Sequence, residues 1–198
     1  MPTLATLAAA LANGSASSHS LVEACLEKIE DPAGEGRTTF LHVDRKAALA
    51  QADAMDQLRS SGAAPSPFAG IPVSIKDLFD IAGQVTRAGS TALANRPAAT
   101  RDATCVARLR RAGFVLIGRS NMSEFAFSGL GLNPHYGTPR NPWERTAGLA
   151  PAGDFPTWDF PTGDSLTDRS VALAGRSVTA RRARFRLTHF ASSRSVLR

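Results

Sequence analysis

The stretch from Gly70 to Gly118 constrains the fold more than any other part of the chain. "GIPVSIKD" (70–77) opens on Gly and Pro and continues with β-branched residues at alternating positions, which predicts a strand ending in charge, with Lys76 at its end. "ATCVARLRRAG" (103–113) reads as a helix with Val106 and Leu109 inward, and Gly113 can close it. "FVLIG" (114–118) is a continuous apolar run of the kind a buried strand needs. Strand, helix and strand in that order predict an α/β layered fold.

Helices precede this unit. An Ala/Leu-rich segment (3–11) is stopped by Asn13-Gly14, residues that tolerate the left-handed conformation of a helix end. In "SHSLVEACLEKIE" (18–30), Leu21, Val22, Cys25, Leu26 and Ile29 share one helical face, Ser20 and Glu23 have capping-box spacing, and Asp31-Pro32 ends the helix. "TTFLHV" (38–43) reads as a strand with Phe40 and Leu41 as its apolar residues. Asp44 is placed to cap a third helix running to Gly62, after which "AAPSP" (63–67) is a linker. From Ser120 to Trp143 the chain is punctuated by Gly and Pro among aromatic and polar residues, and an irregular stretch of that length inside a compact domain is usually functional.

A length of 198 residues with 43% hydrophobic and 20% charged content describes a soluble globular chain of one domain, or one domain plus a tail. No apolar run approaches the ~18 residues of a membrane span, and no basic region precedes a hydrophobic stretch at the N-terminus, so the expected location is cytoplasmic. Cys25 and Cys105 fall inside helical segments without ligand spacing; both are expected to be buried thiols, and neither a metal site nor a cofactor is expected. The net charge of +6 is concentrated at one end. From Arg145 onward there are nine Arg, no Lys, four Asp and no Glu, so the body of the chain is close to neutral. The basic end raises nucleic acid as an alternative partner, through the phosphate contacts that "TARRARFR" (179–186) could make, but no nucleic-acid-binding motif accompanies it.

Three spaced segments, "GIPVSIKDLFDIAGQVTRAGS", "RDATCVARLRRAGFVLIGRSNMSEFAFSG" and "NPHYGTPRNPW", resemble the amidase-signature family in order, spacing and residue type. The resemblance covers about residues 3–145. It implies N-terminal helices plus part of a mixed-sheet α/β/α core, left incomplete, and a domain division into 1–147 and a divergent, irregular tail, 148–198. It implies hydrolysis of a small-molecule amide through an acyl-enzyme, with no metal or cofactor. In the family a lysine at the end of the IKD strand is the base of a Ser-cisSer-Lys triad, and the matching position is Lys76. Amide cleavage needs an activated nucleophile, a proton donor for the leaving amine and a cradle for the oxyanion. A lysine serves as base only when neutral, which burial and neighbouring dipoles favour. The chain carries 20 Arg and only three Lys among its 23 basic residues, so lysine is not the default cation at position 76.

The resemblance also places Ala126, Phe127 and Ser128 near substrate. Phe125 is expected in the core, with Phe127 divided between core and pocket. Asn121 and Glu124 are expected to brace the turn, Asp77 to have a structural role, and His135 to be a loop residue rather than a base. After "NPWERTAG" the family continues through GGSSSG-type and GxDTGGSxR-type segments that supply both serines. Neither occurs here: "GDSLTDRS" (163–170) lacks the paired glycines that crowd backbone N–H groups round an oxyanion. A coding discontinuity near codon 148 is the economical explanation, tested by reading the downstream DNA in every frame. Without the serine pair the chain is expected to be inactive alone. A component of the transamidase that makes glutaminyl-tRNA is the alternative within the same chemistry.

Overall fold

The computed structural model describes residues 2–128 and 130–140. The segment "NPW", the boundary near 147 and the Arg-rich end lie outside the described residues. Helices α1 (Leu4–Ala12), α2 (Ser18–Glu30), α3 (Gly36–Thr39), α4 (Arg45–Ser60) and α5 (Thr104–Arg111) surround strands β1 (Phe40–His42), β2 (Pro72–Lys76) and β3 (Val115–Ser120). A 3-10 turn spans Glu124–Ala126.

The sheet order is β1-β3-β2. β3 runs parallel to β2, with Lys76 beside Ser120 at the shared C-terminal end, and antiparallel to β1. The fold is therefore mixed α/β, as the strand–helix–strand pattern implied. One face of the sheet packs Val115 and Ile117 against Val22, Cys25, Leu26 and Ile29 of α2 and Ala48 and Ala52 of α4. The opposite face packs Ile75 against Ile81 and Val106 of α5. α1 joins through Leu7 and Leu11, which meet Leu21 and Ile71. Each Leu or Ile buried in these clusters contributes about 1.5–3 kcal/mol relative to exposure.

Several local expectations change. The capping box of α2 is formed by Ser17 and Ser20, not Ser20 and Glu23: the Ser17 hydroxyl accepts from Ser20 N at 3.0 Å, and Ser20 Oγ accepts from Ser17 N at 3.1 Å. The helix starts earlier than the apolar pattern because Ser18 is buried, donating its hydroxyl to Gly70 O, while the carboxylate of Asp56 accepts from Ser18 N and His19 N. Thr38 and Thr39 belong to α3 and not to a strand; both donate their hydroxyls to Glu35 O. Asp44 caps α4 as expected, accepting from Ala47 N at 2.9 Å. Cys25 is buried but Cys105 is exposed, because α5 turns only Val106 and Leu109 toward the sheet.

Gly118 permits the closeness of β1. A Cβ there would stand 2.6 Å from His42 O, nearer than side-chain carbons approach backbone oxygen.

Candidate functional site

Lys76 ends β2 half-buried, at the C-terminal edge of a parallel strand pair, the end of an α/β sheet where ligands commonly bind. Among the described residues its ammonium makes no hydrogen bond or ion pair.

The residue after it is locked in place. Asp77 and Arg119 form a buried ion pair, Nε to Oδ1 at 2.7 Å, with side-chain exposures of 1% and 3%. The other Asp77 oxygen accepts from Gly89 N at 3.0 Å. Arg119 also donates to Phe79 O, Thr86 Oγ1 and Gln84 Oε1. The backbone of Asp77 completes the lock: its N donates to Ser120 O and its O accepts from Ala88 N. A buried pair of this kind is viable only when its remaining donors and acceptors are satisfied, as they are here. Asp77 is thus structural, as expected; its partner Arg119 is a neighbour of the candidate site that the sequence pattern alone does not bring out. The signal is a charged residue at the end of the apolar run "FVLIGRS".

A second set of contacts joins the strand ends to the irregular loop. Ala88 O accepts from Phe125 N at 2.8 Å, so a short backbone relay runs from Asp77 through Ala88 to the Glu124–Ala126 turn. Ala88, Phe125 and Ala126 all have positive φ, at 52°, 53° and 55°, a conformation that side chains disfavour. Strain of that kind persists only where surrounding contacts over-determine it. Asn133 supplies some of them, its amide donating at 2.7 Å to both Gly89 O and Met122 O while its carbonyl accepts from His135 N and Tyr136 N. Asn121 donates to Thr38 O and Gly137 O, bracing the turn as anticipated.

Glu124 is the electrostatic hinge of the loop, accepting from Ser90 Oγ and meeting His135 Nε2 at 3.0 Å on the same oxygen. The Ser90 hydrogen bond holds its carboxyl below the usual range; desolvation opposes this, and the His135 hydrogen bond and charge reinforce it. His135 is accordingly a loop partner of Glu124.

Ala126, Phe127 and Ser128 are exposed, and Phe127 is 95% accessible. Phe125 is also exposed, which corrects the expectation of a core residue: the left-handed turn directs it away from the packed clusters. The relay through Ala88 ties this segment to the strand end that carries Lys76, while Ser128 Oγ, among the described residues, accepts only from Leu130 N.

Comparisons with known proteins agree in direction. The family model described as Amidase matches residues 20–151. One glutamyl-tRNA(Gln) amidotransferase subunit, from Streptomyces coelicolor, is 41% identical over 144 residues, covering 73% of this chain and 29% of that protein. The corresponding protein from Cupriavidus taiwanensis is 42% identical over 151 residues, covering 76% of this chain and 29% of that protein. Among solved structures, native peptide amidase from Stenotrophomonas maltophilia superposes with a TM-score of 0.62 at 34% identity, over 71% of this chain and 30% of that one. A chain of a vestigial complex bearing on the origins of an s-triazine catabolic enzyme does so with a TM-score of 0.67 at 38% identity, over 72% and 31%. The chain spans about a third or less of the length of these relatives.

Proposed function

The chain belongs to the amidase family, and on that footing we propose that it carries the base-bearing part of an amide-hydrolysing centre, with Lys76 as the base. The observation that supports this most is the position of Lys76: a half-buried lysine with no described partner, at the C-terminal edge of parallel strands, beside a carboxylate already committed to Arg119. Because Asp77 is occupied by that ion pair and by Gly89 N, it is not available as an ion-pair partner for Lys76.

In the proposed chemistry the neutral lysine receives the proton of a serine nucleophile through a second serine, the nucleophile attacks the amide carbonyl, and the proton passes on to the leaving amine. Ala126, Phe127 and Ser128 would face the acyl portion of a small amide, a role that their exposure beside the site leaves open. The serine pair has no counterpart in this sequence, so the chain by itself is expected to release no ammonia from aliphatic or aryl amides above a buffer blank. Turnover by the purified chain that disappears in Lys76→Met would overturn the expected inactivity. The base role has a separate test: a chimera joining residues 1–140 to the remaining two thirds of the peptide amidase should hydrolyse amides, and Lys76→Met should lower its kcat by about 10²–10⁴. An active Lys76→Met chimera would refute it.

A second reading is favoured by the names of the curated relatives: the chain would then be part of a component of a glutamyl-tRNA(Gln) amidotransferase.

A further inference from the structure

Two buried side-chain atoms among the described residues lack a hydrogen-bond partner, and one of them, Ser120 Oγ, lies beside Lys76. Ser120 is only 2% exposed, and its backbone is pinned on both sides. Its carbonyl accepts from Asp77 N of the β2 end, Phe40 of β1 is its register partner, and the next residue donates from Asn121 N to Thr39 O. The hydroxyl therefore has little freedom to find a partner by moving its backbone. A buried hydroxyl left unpaired costs more than a typical hydrogen bond gains, so a position that keeps one needs a reason.

The register supplies it. Lys76 and Ser120 are directly paired on parallel strands, and paired residues of parallel strands project from the same face. The neighbouring pair, Ile75 and Arg119, projects from the opposite face, and the Arg119–Asp77 ion pair confirms that alternation, since Asp77 is two residues beyond Ile75. Strands stand about 4.8 Å apart, well within the reach of a four-carbon lysine stem folded back over its neighbour. The Lys76 and Ser120 side chains thus leave the sheet on one face, both without a described partner and not hydrogen-bonded to each other.

We propose that Ser120 is a positioning residue for Lys76: its hydroxyl oxygen accepts one N–H of the lysine amine and fixes how that amine is turned. A neutral amine has two N–H donors and one lone pair, so tethering one donor at Ser120 restricts where the lone pair can point, leaving it for the open end of the strand. This rests on Lys76 being the base, but it is tested without turnover.

The chain has three lysines, Lys28, Lys46 and Lys76, so two serve as internal references. Full-length chain is acetylated with limiting reagent at neutral pH and the rate at each lysine is read by mass spectrometry. Removing the tether frees the amine lone pair to turn toward the reagent, so Ser120→Ala should speed acetylation of Lys76 about threefold relative to Lys28 and Lys46. Ser120→Cys, which nearly keeps the volume but accepts poorly, should do the same, whereas Ser120→Thr, which keeps the hydroxyl, should match the native rate. Circular dichroism selects the folded variants, and the Cys and Thr pair suffices if Ala does not fold. An unchanged rate in folded Ala or Cys variants overturns the proposal, as does an equal rise in all three, the sign of loosened packing. Failure here leaves the base role of Lys76 standing; an active Lys76→Met chimera would remove that role by a different readout.

Discussion

At the scale of single residues, environment separates side chains that composition treats alike. Cys25 sits in the core, where burial pushes its thiol up to about 12, while Cys105 is exposed on α5. A chromogenic disulfide at pH 8 should therefore titrate one thiol in the native chain and the second only in denaturant; two fast thiols would contradict the packing of α2. Glu124 gives a pH prediction with a definite sign. Its folded-state carboxyl is depressed, chiefly by the Ser90 hydrogen bond, so its contribution to stability is fully present above the ordinary carboxylate value of ~4.3 and is lost as pH falls through the lower folded value. Urea midpoints measured from pH 6 down to pH 3 should fall more gently in Glu124→Gln than in the native chain, and parallel curves would remove Glu124 from the acid limb. The Asp77–Arg119 pair should be the costliest single site to break: Arg119→Ala leaves a buried carboxylate and should destabilise by about 3–5 kcal/mol, read from the same urea transitions.

At the scale of elements, position along the chain is more legible than the chemistry of the ends. The 3.6-residue spacing of Leu21, Val22, Cys25, Leu26 and Ile29 reveals α2 and its buried face, and the alternation in "PVSIK" reveals β2, because a periodic apolar face is a local property of the sequence. The start of α2 is harder to read because Ser20 and Glu23 offer the same spacing as Ser17 and Ser20, and what decides between them is distant: Asp56 on α4 and Gly70 O hold the first turn. Ser17→Ala should accordingly cost about 1 kcal/mol in thermal or urea unfolding and Glu23→Ala much less; the reverse order would restore the rejected box. The candidate site divides in the same way. Lys76 is legible from its motif, whereas the Arg119 clamp, the Asn133 bracket and the relay through Ala88 join residues far apart in sequence. Apolar character alone puts Phe125 in the core, and local pattern cannot correct this when a left-handed backbone turns the ring outward.

At the scale of the whole molecule, the described sheet is three strands wide, and β2 forms one of its edges. Around the site, Leu78, Phe79, Phe125, Phe127, Leu130 and Leu132 are exposed. An open strand edge with exposed large apolar side chains favours association with other chains. Sedimentation of the purified chain should show concentration-dependent self-association, reduced in Phe127→Ser; a monomer at every concentration would show that these groups are covered. The parallel pairing of β2 with β3 also sets a timetable. β2 cannot meet its partner until about 40 further residues have left the ribosome, and β1 must wait about 80, since Phe40 pairs with Ser120. At about 5–20 residues per second, the strand bearing Lys76 stays unpaired for roughly 2–8 s of every synthesis, an interval in which a chaperone can reach it before β3 does.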